Sequence, residues 1–396
     1  MKAGWPLFCA LTFASPAQAG WVFGEPVTVS KVHGTGIFHH LESANRLGVA
    51  VSGVAVAVAW EDNRERAPRC YVAIRQPGET GFEHEIRVSE KDCYEPVVLS
   101  LEGGRFLAAW EEDGVVRARV VPGDTKALTL SNAAAGQVTL ASGTGKTYAA
   151  WAEQAGKFRR ILVGQLALDG QKLSVLSVHP IEAREAIDEQ SWPALAVAGD
   201  GSLAVVWEDR RFKHTIPMQS HSRDGENFSL PVRLNEIPSG RVQGLGAGSG
   251  AMRPTLTAWG TEGVAAAWLD KRDFLSGYDV YAGLSPGAVR RFGRNIQVQD
   301  IFGENIAQWH AQIVGNVAGR LVAVWDDDRD GTSDVWLAEW TGKAFSDNVA
   351  PPGASGPGSQ SDPVAALDAL GNLHLVWLMR REDGGTEIRY LGAQPR

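Results

Sequence analysis

The chain has 396 residues, with 38 Lys and Arg against 46 Asp and Glu, a formal charge of −8, 45 Gly and 14 Trp. That acidic balance, with no basic stripe, argues against a nucleic-acid partner, while 44% apolar and 21% charged residues exclude a disordered chain. Length alone would allow two or three domains, although large all-β folds reach this size as one unit.

The first nineteen residues read as a signal peptide. Lys2 gives a positive start, Trp5 to Phe13 a short apolar stretch, and Ala17-Gln18-Ala19 a small-residue cleavage site. The stretch is too short to cross a bilayer, and no later segment reaches 18 consecutive apolar residues, so no membrane span is expected. Cys9 leaves with the leader, and the mature protein is expected in a periplasm or outside the cell. Cys70 and Cys93 are then the two mature cysteines. Bridged, they would close a loop worth roughly 3 kcal/mol; two buried free thiols are the alternative.

Beyond the leader one pattern recurs, a run of small apolar residues ending in Trp. It ends at Trp60, Trp110, Trp151, Trp207, Trp268, Trp325 and Trp377. The intervals of 50, 41, 56, 61, 57 and 52 residues match a propeller blade rather than a helical solenoid. Fifteen residues before each Trp stand Asn45, Glu95, Gly136, Trp192, Arg253, His310 and Asp362, each opening an alternating first strand. An acid follows two residues after six of the Trp (Asp62, Glu112, Glu153, Asp209, Asp270, Asp327). An Arg follows four residues after five of them (Arg64, Arg211, Arg272, Arg329, Arg381). Third strands such as CYVAI and YDVYAGL come next, and fourth strands open on Phe82, Phe228, Phe292 and Phe345. The seventh repeat lacks a fourth strand, but FGEPVTVS from Phe23 matches Phe228 to Asn235. The fold predicted is all-β, a seven-bladed β-propeller over residues 20–396 with four-stranded antiparallel blades, its N-terminal strand closing the last blade and removing open edges. Between elements, Ile181 to Gln190 could form a helical turn, and Gly240–Gly250 and Pro351–Gln360 read as loops.

Two segments carry resemblances. Asp326 to Asp334, DDDRDGTSD, is similar over nine residues to the calcium loops of FG-GAP propellers such as those of integrin α chains. The resemblance implies calcium held by Asp326, Asp328, Asp330 and Asp334, although Leu337 stands where a bidentate Glu would. His221 to Ser229, HSRDGENFS, resembles the Asp-box of sialidase-like (BNR-repeat) propellers through Ser222, Asp224, Gly225 and Phe228, with one residue deleted. Asp-boxes stabilise hairpins, so this speaks to fold ancestry. The Phe/Tyr-Arg-Ile-Pro motif of sialidases is absent, as are a nucleophile elbow, a P-loop and a haem motif.

The Trp-x-Asp-x-Arg element reads as structural, because a catalytic group is needed once and not six times; its Arg side chains could otherwise make one face a site for an anionic ligand. The ring before each first strand is different. Its members vary while their neighbours repeat, which is the mixture a ligand site at the channel mouth would show. Three functions follow. The first is an exported, non-catalytic propeller binding a ligand or partner protein through Asn45, Glu95, Trp192, Arg253, His310 and Asp362. The second is a sialidase-like glycoside hydrolase or lyase using Glu95 and Asp362 as its acid/base pair. The third is a periplasmic metal-handling protein using His39, His40 and His310, with His33 nearby. A monomer is the default expectation.

Overall fold

A computed structural model describes residues 20–30, 34–237, 250–272, 277–382 and 384–396. Residues 1–19, read above as a signal peptide and containing Cys9, together with His33 and all of the Gly240–Gly250 loop except Gly250, lie outside the described residues. The chain forms seven small antiparallel sheets arranged as a seven-bladed β-propeller. Blade two is typical, running from Cys93–Ser100 at the axis through Phe106–Glu112 and Val115–Val121 to Leu128–Thr129 at the rim. The seven repeat Trp are all fully buried, each on the second strand of its blade. Each faces the preceding blade: Trp110 packs with Ala55, Cys70 and Val72 of blade one, and Trp60 with Val364 and Val376 of blade seven. Small Ala and Val side chains between them let neighbouring sheets approach, which is why the second strands read AVAVAW, FLAAW and GVAAAW.

Blade seven is closed by the N-terminus. Trp21–Phe23 pairs with the last strand, Trp21 opposite Pro395, and Val27–Thr28 continues opposite Tyr390 and Arg389. In blade six the outer strand is reduced to two isolated bridges, Leu337 with Val349 and Trp340 with Phe345. The helical turn expected between Ile181 and Gln190 does not form. The described residues hold only two short 3-10 turns, Ala44–Arg46 and Ile301–Gly303; with Pro180 ahead and Ile181 buried, the segment runs as an irregular connector into Gln190–Val197. Cys70 and Cys93 are bridged between blades one and two.

The first of the two turns closes the axis. Asn45 and Arg46 are both buried and both left-handed, with φ of 60° and 53°. The Asn45 side chain donates from Nδ2 to the Leu256 carbonyl and accepts from the Leu256 amide on blade five. Arg46 donates to the Pro363 carbonyl of blade seven, its own carbonyl accepts from Gln312 of blade six, and the Leu47 carbonyl accepts from Val98 of blade two. The turn thus plugs the channel, and behind it remains a cavity of about 150 Å³ lined by residues including Leu47, Val49, Leu256 and Leu367.

Candidate functional site at the channel mouth

Six inner strands carry the same irregularity. Opposite the repeat Trp, the register slips by one, between Tyr94 and Val97, Gly136 and Thr139, Ser191 and Ala194, Met252 and Thr255, Trp309 and Gln312, and Ser361 and Val364. The bulged residue takes φ of 51° to 58°, a region that L residues avoid. These residues are Glu95, Gln137, Trp192, Arg253, His310 and Asp362, and Asn45 shares the conformation in blade one. The predicted ring is therefore present with one correction. Blade three contributes Gln137 rather than Gly136, because the two-residue turn Thr144–Gly145 shortens its first hairpin by one. Gly136 has another role: a Cβ there would lie 1.9 Å from Glu111 Oε2, so its missing side chain makes room for that carboxylate.

The ring amides are held by residues to which the sequence assigns no such role. Trp faces the preceding blade, so the next residue faces the following one, and in four repeats it is acidic: Glu61, Glu111, Glu208 and Asp326. Glu61 accepts from the Glu95 amide. Glu208 accepts from the Arg253 amide at 2.7 Å and Asp326 from the Asp362 amide at 3.2 Å. Blade three has Ala152 at this place, and there the Gln137 side chain accepts from the Trp192 amide at 3.0 Å. The signal was a second acid directly after four of the seven Trp, visible as W-E-D, W-E-E and W-D-D.

Blades four to seven and the plug converge. Arg253 lies 3.4 Å above the Trp192 ring, places Nε 2.9 Å from Glu42 Oε1 and Nη1 3.6 Å from Glu208 Oε1. Glu42 is also bonded to buried Arg46, which stands 3.8 Å from Asp362. His310 Nδ1 lies 2.7 Å from Asp326 Oδ1 and its Nε2 3.3 Å from Asp362 Oδ1. Burial works against a charged imidazole, but Asp326 and then Asp362 outweigh it and raise the His310 pKa.

Blades one to three form an acidic neighbour to this group. Burial, then Glu111 and Glu42, push the Glu95 carboxyl up to about 8, against the pull of Arg253. Burial likewise raises Glu61 to about 7, and raises Glu111 and Glu208. Glu95 Oε2 is buried and has no hydrogen-bond partner among the described residues. The charged groups that act on Glu95 are Glu111, Glu42, Arg253 and Glu61, whereas Asp362 keeps company with His310, Asp326 and Arg46. Tyr94 and Trp309, one residue before Glu95 and His310, are exposed aromatics at the same level.

The remaining predicted residues lie apart. His39 is buried with its ring nitrogens on Thr386 and Ser30, and His40 faces solvent. Of the four acids expected to hold calcium, Asp326, Asp328, Asp330 and Asp334, no three bring ligand atoms within 4.8 Å of one another. Asp326 and Asp327 point to opposite faces of one strand, Asp326 to His310 and Asp327 to Trp325 and Arg329, while Asp334 accepts from the Gly356 amide. Among the described residues the one group of three or more ligand-type side chains with donor atoms within 4.8 Å of one another is Glu42, His310 and Asp362. The Trp-x-Asp-x-Arg element is internally satisfied. Six Trp Nε1 donate to the acid two residues on, at 2.8 to 3.0 Å. Arg64, Arg211, Arg272 and Arg329 pair with the same carboxylates, so they do not form a free anion-binding face. The Asp-box-like turn is a closed local network, Asp224 accepting from Ser222, Glu226 and Asn227.

No family model and no curated protein matches the chain. Among solved structures, a protein of unknown function from Dyadobacter fermentans aligns at a TM-score of 0.57 and 11% identity, over 95% of this chain and 100% of that one. The polysaccharide lyase Uly1 aligns at 0.55 and 12%, over 88% and 89%. An α-L-arabinanase of Penicillium chrysogenum aligns at 0.48 and 15%, over 75% and 92%. At these identities the chain shares a propeller fold with the first two.

Proposed function

We propose that the mouth binds a neutral, hydroxyl-rich glycan and that Glu95 acts there as a general acid, making the protein a glycoside hydrolase. The observation that carries this reading is the buried, unpartnered Glu95 Oε2 among Glu61, Glu111 and Glu42. A carboxyl that keeps its proton near neutral pH is what a departing glycosidic oxygen requires. Its second carboxylate is then sought in Glu42, Glu61 or Glu111 rather than in Asp362. Trp192, Tyr94 and Trp309 supply aromatic faces on blades four, two and six for sugar rings. A polyuronate substrate fits less well, since the carboxylates outnumber the guanidinia and both Arg46 and Arg253 are already paired with Glu42. The leader-like first nineteen residues and the Cys70–Cys93 bridge support an extracytoplasmic location. The Asp-box-like turn supports kinship with sialidase-like propellers.

A non-catalytic binding propeller is the second reading, favoured by the acids that commit an oxygen to the next blade's amide. Reducing-end release from a panel of neutral oligosaccharides separates the two. Hydrolysis predicts that Glu95→Gln lowers kcat by about 100-fold or more while Trp192→Ala mainly raises KM. Binding without turnover, abolished by Trp192→Ala, would select the second reading. Neither binding nor cleavage of any neutral glycan would refute both.

A further inference from the structure

We propose that Glu42, His310 and Asp362 form a divalent-metal site at the channel mouth, and that zinc is the ion it takes. One imidazole and two carboxylates are a ligand set that zinc accepts, with the fourth position left open. The spacing suits a shared ion. His310 Nε2 and Asp362 Oδ1 stand 3.3 Å apart, close to the edge of a tetrahedron whose ligands lie about 2.0–2.1 Å from the metal. A Glu42 oxygen lies within 4.8 Å of both.

The outer contacts of His310 suit a ligand as well. Asp326 Oδ1 at 2.7 Å takes the Nδ1 proton, which turns the Nε2 lone pair toward Asp362. Asp326 is itself fixed, by the Ser333 hydroxyl and the Asp362 amide. A carboxylate oriented in this way behind a histidine is the arrangement that stiffens metal-bound imidazoles. Glu42 accepts from Arg46 and Arg253 and keeps lone pairs for a metal. Charge agrees: Glu42, Asp326, Asp362 and Glu208 face Arg46 and Arg253, and a dication offsets the excess of carboxylates. This differs from the His39, His40 and His310 set expected from sequence, since His39 is turned to Thr386 and Ser30.

The proposal does not rest on the glycan reading, because its test contains no sugar. Zn²⁺ is titrated calorimetrically into chelator-treated, dialysed full-length protein, and Co²⁺ is then used in its place for its visible absorption. One ion per chain is expected, with the intense visible bands of low-coordinate Co²⁺. Binding should be lost in His310→Gln and weakened about 10- to 100-fold in Asp326→Asn. Asp330→Asn, in the acidic turn away from the three ligands, should bind as the wild type does. Glu42→Gln, at a part-exposed residue, gives the same loss should His310→Gln fail to fold by circular dichroism. No binding to the wild type, or equal binding to His310→Gln and Glu42→Gln, would overturn the site.

Discussion

Replacing Glu95 by Gln tests the electrostatics of the mouth without reference to any ligand. In the folded protein the carboxyl titrates at about 8 instead of 4.5, mainly through burial and then through Glu111 and Glu42. Because the folded state binds the proton more tightly, its contribution is fully present below pH 4.5 and is lost as pH rises toward 8. At about 1.4 kcal/mol per pH unit, the interval corresponds to about 4–5 kcal/mol, and water at the mouth reduces this to about 2–3 kcal/mol. Glutamine has the shape of the protonated acid and no proton to lose. The two proteins should therefore be similarly stable at pH 4.5, and Glu95→Gln should be more stable by about 2–3 kcal/mol at pH 9. Urea unfolding with the disulfide intact, at pH 4.5, 7 and 9, reads the difference directly. A stability difference that stays constant with pH would refute the argument, because it would mean that Glu95 ionises alike in the folded and unfolded chains.

Three further outcomes follow from the framework. Trp207→Phe strips Asp209 of an indole donor, whereas the Trp377 indole has no acceptor among the described residues; Trp207→Phe should cost about 1–3 kcal/mol more than Trp377→Phe in the same unfolding assay. Asn45→Ala leaves the Leu256 amide and carbonyl without their partner at a left-handed position, an expected loss of about 2–3 kcal/mol in urea, with Asn45→Gly losing less because glycine accepts the conformation. Replacing Cys70 and Cys93 together by Ala should lower stability by about 3 kcal/mol, and full stability under reductant would show that the bridge contributes nothing.

The ring of blades was legible because packing one sheet on the next demands a Trp and small residues each time, with an acid two residues after the Trp in six blades, and repetition turns a weak signal into a register. The mouth was half legible for the same reason. Its varying residues stood at a constant offset, and only the short Thr144–Gly145 turn broke the count, hiding Gln137 behind Gly136. The acids directly after four of the Trp were readable but blend into the strand, although alternation sends them to the other face. Glu42 and Arg46 gave no signal, since they lie on an irregular segment with neither period nor motif. Their place comes from consecutive left-handed residues and from bonds to strands more than two hundred positions away.

The plug has a mechanical consequence. Blades in a propeller ordinarily feel only their neighbours, and a pull on one passes around the ring step by step. Here Asn45, Arg46 and Leu47 tie blades two, five, six and seven to a common hub, as spokes tie a rim. Glu42 stands at the outer end of that hub, braced by Arg46. Whatever draws on Glu42 is therefore opposed by several blades at once, so an occupant of the mouth meets a stiff seat.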